Sequence, residues 1–451
     1  MATNCVNNNF NYYKELVGLS IPIILGNLGH ILIGAGNVIV AGRHSTLTLA
    51  AISVATAIFM TFLIAGIGLL ISISPVIANL RGARKPCKNL FTVSVQYALI
   101  VGLIVFVLIW LIAALVPYIN LAENMTPLVV EYLQIASFSI FGVFVFGACK
   151  EFLQAYEIVV FPNIVAITAV FVNVLLSIAL VFGFYAIPSL GVKGLAISAL
   201  IVRSLEGLIL LFYCKNFLKG RCGNTKAYVR DLIKTGWPIS VALFSEFLGF
   251  NIVAVLVGKF SALFSATHNV IVTMTGITYM IPLSISNAVA IKVGFANGEK
   301  CLRDIIKYTT HGTVMIIAFM LGCAVLYATI PEQLMRIFTN DIEVVKAGVP
   351  IIFLVVCFVL FDGVQCAAAG ALKGLKKTKA IMFTMLFSYF VFGIPIGCIL
   401  AYKYNIVLFG FWTGLAVALF IASIIATVLL VRSIKQAAAS IQAQEHIQAG
   451  C

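Results

Sequence analysis

Charge is what this 451-residue chain has least of: Asp, Glu, Lys and Arg together make up 10% of it. Soluble domains carry about 25% and spend most of those residues on their surface. The 29 Lys+Arg and 15 Asp+Glu present cannot coat a 48.6 kDa globule, which excludes a soluble enzyme. With 62% hydrophobic residues and a mean hydropathy of +1.12, a disordered chain is excluded as well. There is no strand-like alternation of apolar and polar residues, so an outer-membrane barrel does not fit. The 11 cysteines contain no CxxC pair and read as small buried hydrophobes rather than metal or redox ligands. HExxH, GxSxG and paired intramembrane aspartates are lacking too, and neither His268 nor His311 has a suitable partner at helical spacing, which argues against a membrane-embedded enzyme. The N-terminus shows no basic segment followed by a short apolar core and a cleavage site. The expectation is therefore that the first apolar stretch stays in place as an anchor.

What is there is a series of apolar runs, each near the ~20 residues that cross a hydrocarbon core. Twelve are legible, at about 16–41, 47–79, 92–117, 129–149, 160–186, 194–217, 237–258, 264–291, 309–331, 349–371, 381–401 and 407–430. The expected fold is all-α: a polytopic membrane protein of twelve transmembrane helices. A net charge of +14 in such a chain points to orientation rather than to nucleic acid. About 22 Lys and Arg fall in one alternating set of inter-span segments and about 6 in the other. By the positive-inside rule this puts both termini in the cytoplasm of a cell-membrane protein.

The chain also repeats itself. At a constant offset of 216 residues Pro22 falls on Pro238, Gly42 on Gly258, Arg43 on Lys259, Ser45 on Ser261, Gly82 on Gly298 and Arg84 on Lys300. Chance matching of apolar helices explains leucine on leucine but not this joint register of proline, glycine and basic residues. Each half holds six spans, an even number, so the halves enter the membrane in the same sense, as parallel repeats about a pseudo-two-fold axis along the membrane normal. The expected organisation is an N-lobe at 1–218, a linker at 219–230, a C-lobe at 231–435 and a tail at 436–451. Two like bundles joined by a polar linker suit alternating access better than a channel, for which no filter motif is present.

An ionisable group near mid-bilayer costs about 2.5–3.5 kcal/mol on insertion scales and marks a candidate functional site. Glu246 lies two turns after Pro238, and Asp362 lies in the run Val-Leu-Phe-Asp-Gly-Val-Gln. Neither has a basic residue within one helical turn along the chain. A buried carboxylate without a fixed cation is either protonated or occupied by a mobile one. Arg203 and Glu206 are one turn apart and are expected to neutralise each other. His30, the repeat counterpart of Glu246, is a packed histidine or a proton site. Ser245, Asn251 and Asn269 offer oxygens to a hard cation. Phe247, Phe250, Met274, Tyr279 and Met280 can line an apolar, adaptable cavity.

Several stretches then carry a resemblance: Ile21-Pro-Ile-Ile-Leu-Gly-Asn-Leu, Val40-Ala-Gly-Arg, Leu49-Ala-Ala-Ile-Ser, Leu80-Arg-Gly-Ala-Arg, Glu246 after Gly236-Trp-Pro, His268-Asn, Ile281-Pro-Leu-Ser-Ile-Ser and Gly370-Ala-Leu-Lys-Gly. In this order and twelve-span frame the chain resembles the MATE (multidrug and toxic compound extrusion) family, in its NorM branch, to about residue 435. The resemblance implies export of amphipathic, cationic organic compounds in exchange for Na⁺ or H⁺, with no other cofactor. Glu246 and Asp362 match the C-lobe cation site of NorM-like relatives, which implies that they are the Na⁺ ligands. A tyrosine found in some relatives one turn before that aspartate is Phe358 here. An N-lobe site used by other relatives maps onto Asn37, Asn173, Ser177 and Ala199, without a carboxylate. The implied partners are small amphipathic cations and membrane lipid, with no nucleic acid, and carriers of this kind can work as monomers. The alternative within the same superfamily is a lipid-linked oligosaccharide flippase, for which Arg203 is the candidate cavity cation.

Overall fold

The computed structural model describes residues 9–87, 90–119, 124–183, 188–217 and 225–449, without the side chains of residues 9–10, 30–35, 38, 119 and 444–449. The side chain of His30 and residues 218–224 of the expected linker therefore lie outside the described residues. Helices and the turns between them account for the described chain, with no strand among the described residues. In order they are α1 (Asn9–His44), α2 (Thr46–Leu70), α3 (Ile73–Gly82), α4 (Phe91–Leu115), α5 (Met125–Ser137), α6 (Ser139–Ala155), α7 (Val160–Phe182) and α8 (Val192–Tyr213). There follow α9 (Thr225–Gly258), α10 (Ala262–Glu299), α11 (Leu302–Thr329), α12 (Pro331–Phe338), α13 (Ile342–Gly374), α14 (Thr378–Leu386), α15 (Ile394–Lys403) and α16 (Val407–Ala449), with a π-helical turn at Phe387–Gly393 joining α14 to α15.

Among the described residues ten helical segments are long and apolar enough to cross a membrane, and α5 with α6, bent by 41° at their junction, makes an eleventh. Helix α1, 36 residues long, occupies the first expected span. The protein is an all-α, multi-pass membrane protein. Its helices show why: Ile100, Leu103, Ile104 and Leu111 on α4 are each more than half exposed, a face that only lipid tolerates, while the backbone polar groups stay paired within the helix.

Local geometry repeats at the offset read from the sequence. Ser45 caps α2 by accepting from the Thr48 amide, and Ser261 caps α10 by accepting from the Leu263 amide, both in extended backbone. Past the ends of the following helical segments, Arg84 (φ 55°) and Lys300 (φ 59°) both take the left-handed conformation that ends a helix.

The chain forms two compact units: Met1–Ile24, Ala78–Lys85 and Val241–Cys451 make the first, and Leu25–Ile77 with Pro86–Ser240 the second. The divisions therefore do not run along the linker. Helix α1 changes unit two residues after Pro22, and α9 changes unit two residues after Pro238.

In the first unit α10, α13 and α16 form the centre. A Cβ on Gly370 would meet the Ser286 carbonyl, and one on Gly374 would sit 2.8 Å from the Ala290 carbonyl, so glycine is what lets α10 and α13 approach this closely. The start of α1 is tied to the same unit by polar bonds. Lys292 Nζ lies 2.9 Å from Glu15 Oε2, Tyr308 donates to the same oxygen at 2.6 Å, and Tyr12 donates to Asp304 at 2.7 Å. In the second unit α6 and α8 cross at Gly142 and Gly207, where a Cβ on either would press on the other helix's backbone.

Candidate functional site

The polar interior of the first unit is built on three long helices and the π-helical turn. Helix α9 carries Glu246 about two turns beyond Pro238, and α13 carries Asp362, Cys366 and Lys373 at spacings that share one helix face. Helix α10 brings Tyr279, Ser286 and Asn287 against them. Ser286 donates to the Cys366 carbonyl at 2.8 Å, Tyr279 hydrogen-bonds the Cys366 thiol, and Lys373 Nζ donates to Asn287 Oδ1 at 3.4 Å. The π-helical turn contributes Tyr389, whose ring lies against Gly249, three residues past Glu246. A Cβ there would be 2.8 Å from the ring, so Gly249 is what admits the tyrosine.

Asp362 is 5% exposed, and its Oδ1 has no hydrogen-bond partner among the described residues. Glu246 is half-buried. The two carboxylates are close enough to repel each other, and Tyr279 and Tyr389 feel both charges. The Tyr389 hydroxyl is also buried without a partner among the described residues. Buried polar groups are ordinarily paired. Two oxygens left open beside a second carboxylate form the kind of oxygen-rich site that suits a hard cation or a proton.

Aromatic rings wall this interior. Phe250 lies 6.1 Å from Phe358 and 6.2 Å from Tyr389, Phe358 lies 5.5 Å from Trp412, and His268 lies 5.7 Å from Trp412. Neither ring nitrogen of His268 nor Trp412 Nε1 has a partner among the described residues. Met274 is buried, and its carbonyl accepts from Tyr327 at 3.3 Å.

Three expectations need correction. Glu246 is not without a neighbouring cation: Lys373 sits close enough to attract it. The sequence hid this because the two are 127 positions apart and Lys373 counts among the interfacial basic residues. Arg203 and Glu206 form no ion pair within 4.0 Å, acting on each other only at longer range. Arg203 instead donates to Ser139 at 3.2 Å and lies over the Phe59 ring at 5.2 Å. That places it at the break between α5 and α6, whose last carbonyls favour a cation. Finally, Asn269 is exposed, while the Asn251 amide bonds the Phe247 carbonyl at 2.7 Å and the Ser245 hydroxyl bonds the Val241 carbonyl at 2.6 Å. Asn269 is thus turned away from a buried cation, while the other two use only a donor on their own helix and keep Asn251 Oδ1 and Ser245 Oγ as oxygens able to accept.

The second unit holds a neutral counterpart. Ser177 donates to Asn37 at 3.4 Å and pairs with Ser198 at 2.7 Å, and Asn173 is 1% exposed with an open Oδ1. A cleft of about 560 Å³ lined by Gly36, Val40, Arg43, Val174 and Phe182 has no carboxylate among its described lining residues.

The family model described as MatE matches residues 22–179 and 238–399, the greater part of both sequence halves. The chain belongs to the MatE family. It is a membrane transporter and not an enzyme. Among relatives, it is 27% identical over 433 residues to the multidrug resistance protein NorM of Photobacterium profundum, covering 92% of this chain and 94% of that one. It is 28% identical over 432 residues to the NorM of Vibrio cholerae, again covering 92% and 94%. Among solved structures, a eukaryotic MATE transporter, AtDTX14, superposes with a TM-score of 0.86 at 16% identity, covering 96% of this chain and all of that one. The outward-facing conformation of a multidrug resistance MATE family transporter superposes with a TM-score of 0.80 at 18% identity, covering 94% and 96%. These likenesses establish the MATE fold across nearly the whole chain.

Two residues of the candidate site gave no clear signal in the sequence. Tyr389 gave no periodic signal, because a π-helical turn shifts the register by one residue; a tyrosine inside an apolar span six residues before Pro395 was the available hint. Lys373 had no signal beyond its place in Gly370-Ala-Leu-Lys-Gly.

Proposed function

We propose that this chain is a multidrug efflux antiporter of the cell membrane, with both termini cytoplasmic, that exports amphipathic organic cations in exchange for Na⁺ or H⁺. Glu246 and Asp362 take up the coupling cation and release it as substrate loads. The observation that carries this reading is Asp362 itself: nearly fully buried, with an open carboxylate oxygen, and repelled by a second carboxylate. Such a pair is stabilised by a proton or a cation, and one that can leave is what coupling requires. Antiport requires that cation and substrate favour different states or compete for one. The membrane potential supplies about 2.3 kcal/mol per charge per 100 mV. In the aromatic wall, Phe250 keeps accessible surface for a lipophilic cation, backed by the buried rings of Phe358 and Trp412. The flippase alternative depended on Arg203 as a cavity cation, and its contacts with Ser139 and Phe59 commit it to the α5–α6 break.

The test is efflux of a fluorescent organic cation from proteoliposomes under an imposed Na⁺ or pH gradient, each applied alone. At least one gradient drives efflux in the wild-type chain acting as a monomer. Efflux indifferent to both gradients contradicts the reading.

A further inference from the structure

The second unit is not free of buried carboxyl groups. Glu206 on α8 lies near the middle of the span expected at 194–217 and is 5% exposed. Its Oε1 is buried without a hydrogen-bond partner, and the carboxyl makes no ion pair within 4.0 Å among the described residues. The helix cannot turn it outward. A Cβ on Gly142 of α6 would press on the Arg203 carbonyl, and one on Gly207 would sit 2.7 Å from the Gly142 carbonyl, so the backbone on both sides of Glu206 is seated on α6. A buried acid held in this way is stable with a proton on it; bare, it needs a cation.

Helix α8 packs on α2, α5, α6 and α7. Helices α2 and α7 bring no titratable residue. Helix α5 carries Tyr132 and Glu131, and Glu131 is paired with Lys193 at 2.7 Å. Helix α6 carries Cys149, which hydrogen-bonds Cys214, and Lys150, which lies in electrostatic reach of Glu206 and of its own neighbour Glu151. Lys215, in the turn after α8, lies over the Phe212 ring at 4.4 Å. Arg203 stands one turn before Glu206 on the same helix face. Its guanidinium donates to Ser139 at 3.2 Å and lies over the Phe59 ring at 5.2 Å, an arrangement that suits a neutral Glu206. A metal ion at the carboxyl would want further oxygens and would meet two cationic side chains instead. A proton needs only the carboxyl itself.

We propose that Glu206 is a reversible proton-binding site of the second unit, separate from Glu246 and Asp362. With the proton on, Arg203 stays on Ser139 at the α5–α6 break; with the proton off, Arg203 turns to the Glu206 carboxylate. The proton passes between the carboxyl and water, so one O–H bond breaks as another forms. Low pH therefore keeps a cation at the 41° bend between α5 and α6, and high pH withdraws it. The inference does not depend on the reading of Glu246 and Asp362 as the coupling pair.

The test titrates the purified full-length chain in nanodiscs, in Na⁺-free buffer, and follows the C=O band of protonated carboxyl groups by infrared spectroscopy. The difference between the wild type and Glu206→Gln cancels every other carboxyl, and glutamine keeps the shape of the neutral acid. The proposal expects a band that grows on acidification in the wild type and is lost in Glu206→Gln. Arg203→Met removes the cation that receives the bare carboxylate, and the midpoint of the band rises by at least about one pH unit. Ser139→Ala removes the acceptor that competes for the guanidinium, and the midpoint falls. If Glu206→Gln or Arg203→Met fails to fold, the fall in Ser139→Ala decides. A band that Glu206→Gln leaves unchanged, a band that does not respond to pH, or a midpoint unmoved in the variants that fold overturns the proposal. Repeating the titration in Glu246→Gln with Asp362→Asn keeps the two readings apart: the Glu206 band persists there whether or not efflux is lost, and only the efflux bears on the coupling pair.

Discussion

The first unit contains two sets of interior or half-buried charge with different fates. Around Glu15, every partner is supplied: Lys292 at 2.9 Å, Tyr308 at 2.6 Å on the same carboxylate, and Tyr12 on Asp304 at 2.7 Å. Around Asp362, among the described residues, an oxygen is open, the neighbouring carboxylate repels, and Lys373 Nζ donates to an amide oxygen at 3.4 Å. The residue types are the same in both. Satisfaction of the polar atoms, together with the deeper burial of Asp362, separates a charge that holds helices together from one available to a mobile ion.

The largest effect expected from this contrast is on transport. Glu246→Gln and Asp362→Asn bring gradient-driven efflux in proteoliposomes to background. Because an uncompensated buried carboxylate opposes folding, Asp362→Asn leaves thermal stability in detergent unchanged or raised. Residual efflux at the wild-type rate, or a steep loss of stability, would erase the distinction. Next, Glu15→Ala acts on stability. It strips a partner from Lys292, whose side chain is 9% exposed. The cost in a melting experiment is about 1–3 kcal/mol, less than for a fully buried pair because Glu15 is one-third exposed. The double variant with Lys292→Met recovers most of it. Smaller again is Gly249→Ala, whose Cβ presses on the Tyr389 ring. Overpacking costs about 1–3 kcal/mol, and here efflux slows while overall melting moves little, as the strain falls on one ring at the site. The smallest effect is in the second unit: Asn173→Ala and Ser177→Ala remove neutral hydrogen-bonding groups worth about 0.5–1.5 kcal/mol, and cation-driven efflux in the same assay stays within a few-fold of wild type.

Much of this contrast was legible in the sequence, and for definite reasons. Apolar runs near membrane thickness mark helices because no other open structure pairs its backbone in lipid, so the fold class and most spans could be read directly. The repeat was visible because Pro22 and Pro238, Ser45 and Ser261, and Arg84 and Lys300 occupy positions with backbone requirements that few residues meet. Glu246 and Asp362 stood out because carboxylates in apolar spans are rare. Long-range pairing was not legible. That Lys292 meets Glu15, that Arg203 turns to Ser139 rather than Glu206, and that Lys373 points inward are decided by how helices far apart in sequence pack, which periodicity does not encode. The unit boundaries within α1 and α9 were hidden for the same reason, since a helix that changes neighbours midway keeps the same hydrophobic pattern.

The central claim is that substrate loading and cation release happen at one pair of carboxylates. The most direct measurement adds saturating substrate to the purified chain and records release of Na⁺ or H⁺ into weakly buffered solution. The account predicts release of the coupling ion in the wild type, and none in Glu246→Gln or Asp362→Asn. Release of the same size in either variant would contradict it.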